Sequence, residues 1–261
     1  MAIPCGIVVA GYNPSMDSDR DDVLILGGGV IGLACALQLC KAGASVRVLE
    51  QGTPGCGSSH GNCGTITPSH AASLAVPGMM GVALRSIAHA DAPLYLDPRL
   101  DGPRLRWLLG FARHCNWRDF HAATHARLAI LQRSRRLLGE LVRDEGLDCE
   151  FSEQGTLHVY RTERLRQADE KGHAALLEKL GVAVQRLDGA QVEAMEPALK
   201  QGVTGGVLHP QDASLRPDRY AAELARRVLE RGGTIESGAC IEGFVTDGTR
   251  ITGVRTSRGT F

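Results

Sequence analysis

The sequence predicts an α/β fold, a parallel sheet of βαβ type into which a separate α+β domain is inserted. Three observations predict it: a continuous apolar run, Val23-Leu24-Ile25-Leu26; the glycine cluster Gly27-Gly28-Gly29-Val30-Ile31-Gly32 that ends it; and a change of texture after Gly52 that lasts until Pro217. An apolar run with no alternation suits a strand buried on both faces of a parallel sheet.

Leu33 to Ala42 follows with apolar residues at helical spacing (Leu33, Ala36, Leu37, Cys40) and stops at Gly43. Ser45-Val46-Arg47-Val48-Leu49-Glu50 reads as a second strand, completing a βαβ unit. A Gly/Ser/Pro-rich loop spans Gly52 to Pro77. Leu105–Cys115 and Asp119–Asp144 are amphipathic helices, the second with Leu128, Leu131, Leu138 and Leu141 on one stripe. Gly155–Tyr160 reads as a strand, Thr162–Leu180 as a helix, Val182–Leu187 as a strand and Ala190–Met195 as a short helix stopped by Pro197. A helix over Pro217–Glu230 and short strands at 234–236, 241–246 and 251–256, with turns at Asp247-Gly248 and Arg258-Gly259, close the chain. The expected domains are a disordered tail at 1–21, a nucleotide-binding domain in two segments (22–85 and 209–261) and an inserted domain at 86–208. With two clear parallel strands and no further apolar strand after residue 200, the sheet is expected to be truncated before it is complete.

The composition narrows the function. Of 261 residues, 43% are hydrophobic and 22% charged, which places the chain among globular proteins. Lys plus Arg and Asp plus Glu are 29 each, so a nucleic acid is not an expected partner. No apolar run approaches the ~18 residues of a membrane-spanning helix. Eight cysteines without a C-x-x-C pair point to reduced thiols and a cytoplasmic setting. Cys35, Cys40 and Cys240 are expected in packing roles.

The glycine pattern carries the chemistry. In Gly27-x-Gly29-x-x-Gly32, the first glycine permits a sharp turn, the second lets a pyrophosphate approach the helix N-terminus, and the third lets helix and strand pack closely. Glu50, at the end of the second strand, can accept hydrogen bonds from an adenosine ribose, and an acid there disfavours a 2′-phosphate. That leaves FAD or NAD. The loop Gly55-Cys56-Gly57-Ser58-Ser59-His60-Gly61-Asn62-Cys63-Gly64-Thr65 offers hydroxyls and backbone N–H groups to a longer ligand, which favours FAD. A solvated linker is the bland alternative for this loop.

Val23 to Glu50, Gly57 to Pro68 and Ala75-Val76-Pro77-Gly78-Met79 together resemble the D-amino-acid oxidase-like flavoprotein superfamily, most nearly its D-amino-acid dehydrogenase small-subunit branch. The resemblance continues through Asp91-Ala92-Pro93-Leu94, Leu105-Arg106-Trp107, Gly155 to Glu163, Val192 to Leu199 and Asp247-Gly248 to Gly253-Val254. It implies an FAD-binding set of Gly27, Gly28, Gly29, Val30, Ile31, Gly32, Glu50, Gln51, Ser58, Ser59, Asn62 and Gly64, with Ile241 meeting the adenine through its backbone. It also implies oxidation of D-amino acids to 2-oxo acids and ammonia. Electrons would pass to a quinone or a carrier, which allows peripheral contact with the inner face of the membrane. His60-Gly61 departs from the small-subunit pattern toward the sarcosine-oxidase branch, and the family's later segment, with its carboxylate-clamping arginine, does not appear. Three alternatives stay open: an oxidase of sarcosine, glycine or D-proline type, a non-catalytic fragment or accessory subunit, and an NAD-dependent dehydrogenase.

Other constellations have plain readings. His121 and His125 sit at metal-ligand spacing on a helix but lack a glutamate base between them. His209-Pro210-Gln211-Asp212 reads as a turn that could line a substrate site. Trp107, Phe111, Trp117 and Phe120 are expected in helix packing, and Arg133, Arg135 and Arg136 on a solvated helix face.

Overall fold

The computed structural model describes residues 21–86, 101–200 and 202–261. In chain order the first elements are β1 (Val23–Leu26), α1 (Val30–Lys41), β2 (Val46–Glu50), β3 (Thr65–Ile66), α2 (Met79–Ser86), α3 (Gly102–His114) and α4 (Trp117–Glu145). Then come β4 (Thr156–Tyr160), α5 (Glu163–Asp169), a π-helical turn (Glu170–Ala174), α6 (Ala175–Lys179), β5 (Gln185–Asp188), α7 (Gly189–Met195) and β6 (Gly205–His209). The last are β7 (Ala213–Ser214), α8 (Pro217–Glu230), β8 (Thr234–Ser237), β9 (Ile241–Asp247), β10 (Arg250–Thr256) and β11 (Gly259–Thr260). Two compact units result, one holding the chain up to Thr65 with Gly139–Phe151 and Ser214–Phe261, the other Ile66–Leu138 and Ser152–Ala213. Against expected boundaries at 85/86 and 208/209, the compact units divide at 65/66 and 213/214, and Gly139–Glu145 at the end of α4 counts with the first unit. Composition could not place them, because polar loop residues occur on both sides of each crossing. Residues 1–20 of the anticipated tail and Asp91 to Leu94 lie outside the described residues.

The first unit is built on a parallel sheet in the order β1-β2-β8. Side chains of a strand alternate between faces, and here both faces are covered. A Cβ on Gly32 of α1 would come within 3.2 Å of Ile25 Cγ2, so Ile25 faces the helix layer, where α1 and α8 lie in contact. Leu26 and Leu49 point the other way, into a cluster with Ala239 and Val254, against which Ile241, Phe244 and Phe261 of the antiparallel β9-β10-β11 sheet pack. The parallel sheet thus has one strand more than the two clear in the sequence. Thr234–Ser237 pairs in parallel with β2, in register Arg47↔Thr234 to Glu50↔Ser237. The strand itself is the one expected at 234–236; its polar composition hid only its place in the parallel sheet, since an edge strand has one neighbour and Glu236 uses the position for ion pairs with Arg47 (2.9 Å) and Arg258 (3.7 Å).

The second unit carries an antiparallel sheet, order β4-β6-β5. Its central strand, β6, was not anticipated, although all five of its residues are buried. Gly205 and Gly206 obscure it: a Cβ on Gly206 would lie 2.7 Å from the His158 carbonyl oxygen and 2.9 Å from Val192 Cγ2 of α7, so only glycine permits that approach. The helix expected over Thr162–Leu180 is present but broken by the π turn. Leu128, Leu131, Leu177 and Val182 form this unit's α-helical core, as the α4 stripe requires. Trp107 and Trp117 correct another expectation: each is 60% exposed, while Phe120 alone of the four aromatics is buried. Arg135 is held by Glu153 at 2.6 Å rather than being fully solvated. Cys240 is exposed, because it sits in the β8–β9 connection.

One buried ion cluster ties three segments of the first unit. Glu145, 3% exposed, accepts from Lys41 Nζ at 2.7 Å at the end of α1 and from Arg231 Nη2 at 2.9 and 3.1 Å just past α8. The Lys41 ammonium, with the Arg231 guanidinium, holds the Glu145 carboxyl below its ordinary value of 4.5. A carboxyl depressed in the folded state stabilises the fold above its ordinary value, and the stabilisation is lost as pH falls through the folded value. Glu145→Gln is expected to cost about 2 kcal/mol at neutral pH, less than a fully buried pair would because both cations keep access to water. Urea titrations of parent and variant from neutral pH downward check this. The gap should close below the ordinary carboxylate range, and a gap independent of pH would mean that shape, not charge, holds Glu145 in place.

Candidate functional site

The β1–α1 turn gathers the predicted glycines into a single cradle. Gly27 has φ 107°, a left-handed conformation that a side chain resists, and its N–H donates to the Leu49 carbonyl at 2.8 Å. Gly32 sits one turn into α1, where a Cβ would fall 2.0 Å from the Gly27 carbonyl oxygen. Any side chain there would push the helix off the strand. Gly29 is the N-cap of α1, makes no side-chain cap bond, and is followed by a first turn without an acidic residue. Such a helix start presents N–H groups and the positive end of the helix dipole, the chemistry that holds a phosphate.

Two side chains fix the rim of the cradle. Glu50 accepts from Gly28 N–H at 2.7 Å through Oε2 and from Gly52 N–H at 2.9 Å through Oε1. An ionised carboxylate has about four acceptor positions, so two backbone bonds leave it capacity for a pair of hydroxyls. Ser59 Oγ accepts from Val30 N–H at 3.0 Å, which ties the small-residue loop to the helix start. The solvated-linker reading of this loop is therefore set aside. Gly55 N–H reaches the Gly28 carbonyl at 2.8 Å, Asn62 Oδ1 accepts from Gly64 N–H at 2.8 Å, and Gly64, at φ 70°, passes its carbonyl to Leu215 N–H at 2.9 Å.

The remaining predicted residues take up different positions. Ile31, Gln51, Ser58 and the His60-Gly61 pair are exposed. Ile241 begins β9, two residues after Ala239, whose N–H donates to the Glu50 carbonyl at 2.9 Å, so it lies at the same end of the sheet as the cradle. The cradle, its acid and its hydroxyl fit an adenine dinucleotide: backbone donors for the pyrophosphate, a carboxylate for the ribose, and glycines wherever a Cβ would intrude.

The other candidates separate from this set. His121 and His125 are both exposed on α4 and, among the described residues, belong to no cluster of three potential metal ligands. In His209-Pro210-Gln211-Asp212, two residues are buried rather than lying on an open turn. Asp212 accepts from Ser69 N–H (3.1 Å) and Oγ (2.6 Å), and His209 packs against His158 and His173 with ring centroids 4.7 and 5.6 Å away. Burial, with His158 beside it, pushes His209 down to about 4. No spacing rule could have found this group, because His158, His173 and His209 come from three separate elements.

The comparisons agree with the cradle. A family model described as FAD dependent oxidoreductase (DAO) matches residues 22–261. The chain is similar to the D-amino acid dehydrogenase of Granulibacter bethesdensis, 35% identical over 243 residues (91% of this chain, 57% of the relative), and to that of Phenylobacterium zucineum, also 35% identical with the same shares. It thus spans somewhat over half the length of these curated relatives. Among solved structures, glycine oxidase from Geobacillus kaustophilus superposes with a TM-score of 0.61 at 25% identity, covering 93% of this chain and 53% of that one. L-alpha-glycerophosphate oxidase from Mycoplasma pneumoniae, solved with FAD bound, shares the fold at 15% identity and a TM-score of 0.58, covering 90% and 49%. With its Gly27–Gly32 cradle, its Glu50 acid and this match over nearly its whole length, the chain belongs to the DAO family of FAD-dependent oxidoreductases.

Proposed function

We propose that this chain provides the dinucleotide grip and the substrate-domain portion of an FAD-dependent dehydrogenase of D-amino acids. The observation that carries the reading is the joint engagement of Glu50 and Ser59 with the backbone of the Gly27–Gly32 turn, in a chain whose relatives bear the name D-amino acid dehydrogenase at 32–35% identity. Family membership removes the nicotinamide alternative. Gly28, Gly29, Val30, Ile31 and Gly32 would cradle the pyrophosphate at the positive end of the α1 dipole, in a turn whose shape Glu50 and Ser59 hold through the Gly28 and Val30 N–H groups. Glu50, with Gln51 next to it, would take the ribose hydroxyls, and Ile241 would present its backbone to the adenine. Ser58, Ser59, Asn62 and Gly64 would line the path toward the flavin. Ser59 is the member already pinned to the helix start, so it sets the position of the others.

When bound, FAD supplies a two-electron acceptor for the hydride leaving Cα. The amine loses a proton in the same oxidation, and water then converts the imine to a 2-oxo acid and ammonia. A quinone or a carrier is the proposed acceptor of the electrons, with the protein at or near the inner face of the membrane. Among the described residues no helix is long and apolar enough to cross a membrane.

Two outcomes are expected in the full-length protein. A Cβ at Gly29 would come 3.3 Å from Ser59 Oγ, on the side where the pyrophosphate approaches. Gly29→Val should therefore weaken FAD retention by roughly tenfold or more while leaving helical circular dichroism unchanged. Flavin absorbance after gel filtration measures it, and stoichiometric flavin in the variant defeats the assignment. In a dye-reduction panel of D- and L-amino acids, glycine, sarcosine and D-proline, D-amino acids with uncharged side chains should turn over fastest. Faster turnover of sarcosine or glycine would instead follow the His60-Gly61 pair and the likeness to glycine oxidase.

A further inference from the structure

In the second unit, the histidines His158, His173 and His209 offer one ring nitrogen each, all within 4.8 Å of one another. Their convergence follows from the fold. His158 pairs with Val207 across β4 and β6, so His209, two residues on, shares its face of the sheet as a diagonal neighbour. The π turn brings His173 over that face, its ring 6.3 Å from His158 and 5.6 Å from His209. Single π turns inside α-helices occur frequently at functional sites.

The polar surroundings point to a ligand. His209 is 1% exposed, and neither of its ring nitrogens has a hydrogen-bond partner. A neutral imidazole carries one donor and one acceptor, and leaving either buried and unmade costs about 1–3 kcal/mol. His173 is oriented from outside the group: its Nε2 meets the Ser69 carbonyl at 3.0 Å, and Ser69 is in turn held by buried Asp212. That bond leaves His173 Nδ1 for a ligand, the arrangement in which metal-bound histidines pass their second nitrogen to a carbonyl or carboxylate. Asp169 stands 3.6 Å from His173 Nδ1, and its second oxygen is buried with no hydrogen-bond partner.

We propose that His158, His173 and His209 form a binding site for a borderline divalent cation of the zinc type, with Asp169 beside it as the charge-balancing carboxylate. Three imidazoles and an adjacent carboxylate match the donor preference of Zn²⁺ over Mg²⁺ or Ca²⁺. At Zn–N of about 2.0–2.1 Å, tetrahedral ligands stand about 3.4 Å apart, so the three rings close by roughly an ångström through side-chain rotation. Bound there, the ion pins β4, β6 and the π turn to one another. The site is independent of the dinucleotide cradle, since all its residues belong to the second unit.

The test uses the full-length protein with its flavin, stripped with a chelator and dialysed against ZnCl₂ or CoCl₂, with MgCl₂ as the control. One equivalent of zinc by elemental analysis is expected, together with a rise in Tm. The Co²⁺ form should show visible d–d absorption without a thiolate charge-transfer band. His209→Leu, which keeps the site apolar and filled, and His158→Gln should each weaken zinc binding by about 100-fold or more, judged against the 10–100-fold typical of outer partners alone. His121→Ala should leave it unchanged. Absence of saturable zinc binding, a thiolate band in the Co²⁺ spectrum, or retained affinity in a folded histidine variant overturns the proposal. If His209→Leu does not fold, His158→Gln and the Co²⁺ spectrum of the unaltered protein decide the matter. Flavin content is read in the same samples, so a failure of the metal site is distinguishable from a failure of FAD binding.

Discussion

The contact on which the first unit depends is the approach of α1 to the carbonyl of Gly27. With a Cβ at Gly32 placed 2.0 Å from that oxygen, no residue but glycine lets helix and strand meet at this distance. The rest of the cradle follows from it. Only a helix this close to the sheet can aim its N-terminus over the end of β1, and only then does Glu50 at the end of β2 reach the Gly28 N–H across the turn. Ser59 completes the arrangement by accepting from Val30 N–H. The small-residue loop is thereby held at the start of α1, the place proposed for the pyrophosphate.

This dependence explains why the nucleotide half was legible. Local constraints specify it, since each glycine answers a steric demand made by residues within one βαβ unit, and Glu50 lies at a distance that the unit's geometry dictates. The contact of Ser59 with the helix start was not legible in the same way, because it joins residues 29 apart through a loop of small polar residues whose path no local rule fixes. What the sequence hid depends on partners far along the chain. β8 was legible as a strand but not as a member of the parallel sheet, because it is a polar edge strand whose Glu236 answers Arg47, 189 residues earlier, a pairing no window of sequence contains. β6 is hidden by Gly205 and Gly206, which lower strand propensity although close backbone approach demands them. Trp107 and Trp117 were assigned to packing on residue type alone, yet both are largely exposed.

The nested chain path raises the question of what holds the first unit together, since its three segments are separated by the second. Glu145 supplies part of the answer. It comes from the middle segment and meets Lys41 of the first and Arg231 of the last. Further ties run between the same segments: Cys149 gives its carbonyl to Arg216 N–H at 2.8 Å, and Asp148 N–H reaches Glu223 at 3.3 Å. Each of these bonds closes a long loop, so each must offset a larger loop-closure entropy than an equivalent bond between neighbours would.

The two units differ in how they treat buried polarity. In the first, the buried carboxylate of Glu145 is fully engaged, and the orphaned atom of Arg227 is one nitrogen of a guanidinium whose Nη1 is paired with Glu230 at 2.9 Å. A lapse of that kind is small, because the charge is still answered. In the second unit both nitrogens of His209 and one oxygen of Asp169 go without partners within the same few ångströms. Unmade bonds scattered through a fold reflect local packing compromises, whereas those on His209 and Asp169 gather on two groups that a cation attracts, one through a lone pair and one through a negative charge. A cation between them would engage one nitrogen of His209 and the carboxylate of Asp169 together, where a neutral water or hydroxyl would leave the carboxylate's charge unanswered.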